Sequence, residues 1–211
     1  MTGVSFILWG AKGHAKVLAS TIFNLGGQVA ALVDNDPNIA ENTLKVPILI
    51  GEEGFRQFVR EFEGGPLKGA VAIGGGRGAD RLALLDLMIS AGLETPAVID
   101  ARAIIEWGAR IHPGAQVLAG AVVGADATIA PGCIVNHGAV VDHECNLGAG
   151  THIAPNATLC GCVTTGRNVF VGAGATILPH IHIGEGALIG SGSVVTKNVH
   201  AGAVVKGVPA V

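Results

Sequence analysis

From Ile105 onward an aliphatic side chain returns every sixth residue: Ile105, Ile111, Val117, Val123, Ile129, Val135, Val141, Leu147, Ile153, Leu159, then Val171, Ile177, Ile183, Ile189 and Val195, with Thr165 the sole departure among sixteen positions. A smaller residue follows four places after most of them, among them Ala115, Ala121, Ala127, Cys133, Ala139, Cys145, Thr151 and Ala157. An α-helix repeats its apolar face every 3.6 residues and cannot keep a period of six. An unbroken hexapeptide beat marks a parallel β-helix. Each unit supplies one short strand and one corner, so three units close a triangular coil of eighteen residues. Coils stack at the inter-strand spacing of roughly 4.8 Å, and one coil cannot bury its own face, so only the stack is stable. Residues 105–194 hold five such coils without an insertion, and the pattern reaches back toward Ile99. Glycines that directly follow inward residues (Gly124, Gly148, Gly166, Gly172, Gly184, Gly190) are expected to relax the backbone where it bends.

Composition narrows the function. Glycine is 33 of 211 residues, yet it lacks the every-third-residue period of collagen. Aromatic residues are 4% and Tyr is absent, which disfavours a stacking platform for single-stranded nucleic acid. The net charge is −3 with no basic run, so neither nucleic acid nor an anionic membrane is an expected partner. No apolar run reaches the length of a membrane span, and the amino terminus lacks the layout of a signal peptide. Cys133 and Cys145 fall on the small inward beat and read as core thiols of a cytoplasmic protein.

Residues 1–100 lack the six-residue beat and read as a separate α/β domain ahead of a coil at 101–211. Strands are expected at 5–9, 29–33, 46–50 and 69–73, and helices at 15–24, 55–62 and 80–91. Such alternation implies a parallel, Rossmann-like sheet with right-handed crossovers. Ligands of such sheets bind at the carboxyl ends of the strands. There three tips converge: Gly10–His14, Asp34–Asp36 and Gly74–Arg77. Gly10, Gly13, His14, Asp34, Asp36 and Gly74 are therefore candidate substrate-binding residues. The turn from Gly10 to Gly13 can bring backbone N–H groups to a phosphate, but the full Gly-x-Gly-x-x-Gly fingerprint is missing. A plain strand–helix turn is the alternative.

The joint pattern resembles bacterial acetyltransferases of nucleotide-linked amino sugars, and their relatives that O-acetylate sialic acid, within the left-handed hexapeptide-repeat family. The resemblance rests on the segment 10–17 (Gly-Ala-Lys-Gly-His-Ala-Lys-Val), on Asn136-His137 through Asp142-His143-Glu144, and on Gly207-Val208-Pro209-Ala210. It implies a left-handed coil, acetyl-CoA as co-substrate, a homotrimer with the active site between subunits, and an amino-terminal domain that holds the sugar nucleotide. The chain departs from the pattern at Gly75-Gly76, where many relatives carry an Asp-Asn pair.

Acetyl transfer to an amine needs a base, an oxyanion donor and positioning. His143 lies two residues past inward Val141, at a corner, where it can face a neighbouring subunit and accept a proton. Glu144 beside it can orient the ring; the resemblance implies the same. Gly161 lies eighteen residues on, one coil away on the same edge, and its bare N–H can approach a thioester oxygen. His143, Glu144 and Gly161 are the candidate catalytic residues. His152 and Lys206, with Gly161, are candidate coenzyme contacts, and Asn136 a sugar contact. No metal is expected as a cofactor. Three other readings stay open: O-acetylation of sialic acid or another sugar hydroxyl, a zinc hydratase drawing on His137, His143 and His182, and a non-catalytic scaffold.

Overall fold

The computed structural model describes residues 3–39 and 43–211. Its front part is a four-stranded parallel sheet: β1 (Ser5–Trp9), β2 (Gln28–Asp34), β3 (Ile48–Ile50) and β4 (Leu67–Val71), in the order β3-β2-β1-β4. Helix α1 (Gly13–Asn24) links β1 to β2, α2 (Gly51–Glu61) links β3 to β4, and α3 (Gly78–Ser90) leads from β4 to the coil. Strand β1 is buried at all five positions because helices cover both faces of the sheet. Each helix starts two to four residues earlier than its apolar pattern announces. Gly13, Gly51 and Gly78 open them without apolar side chains to mark the start. Strand β3 starts two residues after 46, and β4 lies two residues ahead of 69–73 at both ends.

The remainder is a coil of two-residue strands forming three flat sheets of five, six and seven strands. Partners lie eighteen residues apart: Val140 sits over Val122 and under Thr158, and Val141 between Val123 and Leu159. Ile99 already belongs to this ladder, paired with Val117. The inward residues from Val117 to Ile189 are fully buried, Thr165 excepted, and the small beat packs between them. Thr165 is accommodated by Thr151, whose Oγ1 lies 3.1 Å from its own, and it also accepts the Gly148 N–H at 3.0 Å. Cys133 and Cys145 are core thiols as expected; burial pushes them up to about 12 and about 11.

The corners correct one expectation. The glycines that follow inward residues do not supply the bend. The left-handed conformation falls two residues later, in three columns that repeat every eighteen residues. Gly114, Gly132, Gly150, Asn168 and Gly186 form one; Gly120, Gly138, Asn156, Gly174 and Gly192 form another. The third is Gly108, Asp126, Glu144, Cys162 and His180, where side chains stand at a cost of roughly 1–2 kcal/mol each. The glycines after the inward beat are required instead by close stacking. A Cβ at Gly124 would sit 2.6 Å from the His143 nitrogen, and one at Gly172 would sit 2.5 Å from that of Ser191.

At the carboxyl end the period shortens. Leu188 pairs with Val204 and Ile183 bridges Val199, each sixteen residues on. The last residues then fold back: the Ala210 N–H donates to Val194, and Lys206 and Val211 exchange backbone hydrogen bonds.

The front sheet docks on the coil face bearing Gln116, Ile134, His152 and Phe170. Leu118 and Ile134 join Phe6, Leu8, Leu18 and Ile22 in one buried cluster. Arg81 of α3, 1% exposed, crosses this junction. Its guanidinium donates to the carbonyls of Ile73 and Gly75 on the front side, and of Gly132 and Gly150 on the coil. Among the described residues no carboxylate is within ion-pairing distance of it, and burial lowers it to about 10.

Candidate active site

Two regions carry the candidate residues. The first is a cavity of about 600 Å³ at the carboxyl ends of β1, β2 and β4. The chain leaves β1 toward β2 on one side and β4 lies on the other, so this is the switch point where parallel sheets bind ligands. Gly10, His14, Asp34 and Gly74 line it, as do Lys12 and Arg77. Gly10 is in a left-handed conformation (φ +114°), and a Cβ there would meet the Ala72 carbonyl oxygen. The first turn is thus wedged against the end of β4. Asp34 accepts from the Ala11 N–H at 3.0 Å and the Asp36 N–H at 3.1 Å. Its carboxylate stitches two of the tips together. Asp36 pairs with Lys12 at 3.6 Å, both exposed. Gly13 is the first residue of α1.

His14 donates from Nε2 to Gln116 Oε1 at 2.7 Å, and Gln116 in turn donates to the Val71 carbonyl at 2.7 Å. Burial lowers the His14 titration against the partial compensation of Gln116. The ring is therefore neutral at pH 7, with Nδ1 left as an acceptor beside Gly74. Gln116 was not legible as a site residue. Its position outside the inward beat predicts solvent exposure, yet it is 2% exposed under the front sheet.

His152 and Asn136 are placed differently from the sequence expectation. His152 is 4% exposed. Its Nδ1–H donates to the Gly75 carbonyl at 3.1 Å, its Nε2 accepts from Asn136 Nδ2 at 3.1 Å, and Phe170 packs edge-on against the ring. Both ring nitrogens are used within the chain, so the expected coenzyme contact has no free atom. Burial drives the group down to about 4, which keeps it neutral. Asn136 also accepts the His137 N–H, leaving its amide similarly committed. These residues hold the Gly74–Arg77 tip on the coil. Lys206 lies exposed on the last coil.

The second region is the corner column with side chains. His143 Nδ1 is 3.1 Å from Glu144 Oε2, and both side chains are more than half exposed. The corner makes this neighbouring contact possible, because Glu144 is left-handed (φ +57°) and its side chain escapes strand alternation. Gly161 stacks beneath: a Cβ there would run into His143 Nε2 and Cε1. The eighteen-residue register thus brings 143 and 161 to one edge, as the repeat predicts. The Gly161 carbonyl accepts from His180, and among the described residues its N–H has no acceptor. With Nδ1–H held by Glu144, Nε2 keeps a lone pair above an unpaired backbone donor. Cys162, unremarked in the sequence, places Sγ 3.7 Å from Glu144 Oε2.

Comparison with known proteins places this geometry. The family profile "Bacterial transferase hexapeptide (six repeats)" matches residues 162–197. No curated protein matches by sequence. Among solved structures, a histidine-to-asparagine variant of perosamine N-acetyltransferase from Caulobacter crescentus, in complex with CoA and GDP-perosamine, is 33% identical with a TM-score of 0.91. That match covers 98% of this chain and 95% of that one. The acetyltransferase domain of PglB from Neisseria gonorrhoeae, in complex with acetyl coenzyme A, is 29% identical with a TM-score of 0.86, covering 98% of each. WeeI from Acinetobacter baumannii, at 21% identity and a TM-score of 0.61, shares the fold. A parallel sheet feeding a left-handed β-helix, matched over nearly the full length at one-third identity, places the chain in the hexapeptide-repeat sugar acetyltransferase family.

Proposed function

We propose that the protein transfers the acetyl group of acetyl-CoA to the amino group of a nucleotide-linked amino sugar, with His143 as general base. The observation that carries this is the stack at one corner: Glu144 on Nδ1, a free Nε2, and the unpaired Gly161 N–H below. Nε2 takes a proton from the sugar amine as its nitrogen bonds to the thioester carbonyl carbon. The Gly161 N–H donates to the oxygen that becomes negative, a contribution typically of about 3 kcal/mol. The C–S bond then breaks, and the leaving CoA sulfur recovers a proton from the imidazolium. Glu144 holds the tautomer that makes Nε2 the acceptor and stabilises the ring when charged.

Residues 1–100 supply the sugar-nucleotide site and 101–211 the coenzyme and chemistry. The switch-point cavity suits a nucleotide, with Lys12 and Arg77 as the cations nearest its diphosphate and His14 Nδ1 as an acceptor. GDP-perosamine, bound by the Caulobacter enzyme, is the first acceptor to test. Variants of that enzyme lacking one histidine still hold CoA and GDP-perosamine, as expected where a histidine serves chemistry rather than binding. The half-exposed corner fits a site completed by a neighbouring subunit in a homotrimer. Among the described residues no helix is long and apolar enough to cross a membrane; free cysteines and these two substrates fit a cytoplasmic enzyme.

The test is thiol release from acetyl-CoA with a panel of UDP-, GDP-, dTDP- and CMP-linked amino sugars, with free sialic acid as the hydroxyl acceptor. Turnover with one amino sugar nucleotide, lost at least 100-fold in His143→Ala with both substrates still bound, is expected. Full activity of His143→Ala refutes the base. Turnover with sialic acid alone refutes N-acetylation.

A further inference from the structure

We propose that His143, Glu144 and Cys162 form a binding site for Zn2+, and that the bound ion switches the transferase off. The inhibitory half rests on His143 being the base; the binding half does not.

One nitrogen, one carboxylate oxygen and one sulfur converge here, all within 4.8 Å of one another. Glu144 Oε2 lies centrally, 3.1 Å from His143 Nδ1 and 3.7 Å from Cys162 Sγ. Zinc bonds of 2.0–2.3 Å to these atom types set tetrahedral neighbours about 3.3–3.7 Å apart. The sulfur contact falls at that spacing, the 3.1 Å nitrogen contact is just short of it, and the half-exposed His143 and Glu144 side chains can adjust that contact and close the third. A mixed N, O and S set suits zinc and disfavours the oxygen-seeking Mg2+ and Ca2+. Three protein donors leave a fourth position for water.

The backbone adds a separate observation. Two corner columns carry only glycine and asparagine at their left-handed positions between 114 and 192. The column at issue carries Asp126, Glu144, Cys162 and His180 instead, so donor-bearing side chains stand where the fold favours none. Catalysis as proposed uses Glu144 and leaves Cys162 without a role. The Cys162 N–H donates to the His143 carbonyl at 2.9 Å, which fixes the two residues against each other.

Zinc and base catalysis exclude each other at this imidazole. An ion on Nε2 consumes the lone pair. An ion on Nδ1 displaces the ring proton to Nε2, where nothing can then be accepted. The Cys162 thiol must lose its proton to bind. Zinc affinity therefore rises with pH.

The experiment pairs two readouts on the full chain. Zinc binding is measured without substrates, by competition with a chromophoric chelator; initial rates are measured in buffered Zn2+. The wild type is expected to bind one zinc per chain and to lose activity in proportion, with recovery on adding EDTA. C162S, with C162A as its backup, is expected to keep the metal-free rate while zinc affinity falls by more than about tenfold, and C160S to behave as wild type. Equal zinc affinity in wild type and both Cys162 variants overturns the site. Zinc bound through Cys162 without loss of rate overturns the switch. A chain inactive toward every acceptor under chelation refutes the transferase reading instead, and the binding data stand apart from that outcome.

Discussion

Gly161→Ala separates the position of the base from every other feature of the site. The new methyl group would overlap His143 Nε2 and Cε1 and lie 3.0 Å from Cδ2. Ordinary contact needs about 3.5 Å, so the ring must move by about 1 Å. It can do so at little cost to the fold, because the His143 side chain is 53% exposed. The movement breaks the 3.1 Å contact with Glu144 and takes Nε2 off its line to the amine. A displacement of that size costs about 100-fold in kcat, equivalent to about 2.7 kcal/mol of barrier. The backbone is not left-handed at Gly161, so alanine is tolerated there. Restricting the unfolded chain contributes about 0.4–1 kcal/mol in favour of the variant. The N–H itself is retained. Thiol-release kinetics should therefore show kcat down about 100-fold, with KM for the sugar nucleotide unchanged and a melting temperature equal to or above wild type. A kcat within about threefold of wild type, in a protein of unchanged stability, refutes the claim that this glycine exists to make room for the imidazole.

Two other outcomes test the junction between sheet and coil. His152 titrates near 4 when folded and near 6.5 when unfolded, so the unfolded chain binds the extra proton between those values. Stability is complete above about pH 6.5 and falls as pH drops toward 4, by at most on the order of 3 kcal/mol; melting temperature against pH should be flatter in His152→Gln. Arg81→Met leaves the carbonyls of Ile73, Gly75, Gly132 and Gly150 short of a donor. Removing it should lower stability by about 3 kcal/mol in denaturant melts and raise KM for the nucleotide sugar through the loosened 73–75 tip.

The coil was readable from Ile105 to Val195 because inward position, register and neighbour on the next coil all follow from one period. That period alone put Gly161 under His143. It could not reveal what covers an outward face. His152, Asn136 and Gln116 occupy outward positions, and only the docked front sheet buries them. Leu118, Ile134 and Phe170, apolar where the beat predicts solvent, were the available sign of that contact. Arg81 left no trace in the sequence, since its partners are backbone carbonyls and any residue can supply those. The glycines were legible as a pattern but misread in purpose. A glycine required by a neighbour's approach and one required by a bend look alike until φ is known.

The shortened last turn matters beyond the single chain. A ladder with identical rungs offers its final rung to any first rung of the same pitch, and Ile104, Ile105 and Trp107 stand uncovered at the opening end. Were the pitch of eighteen kept through Val205, that rung would match the opening one. The turn through Val204 is two residues short, with Ala210 and Val211 bonded back to Val194 and Lys206, so among the described residues its rung does not repeat the pitch of the opening ones.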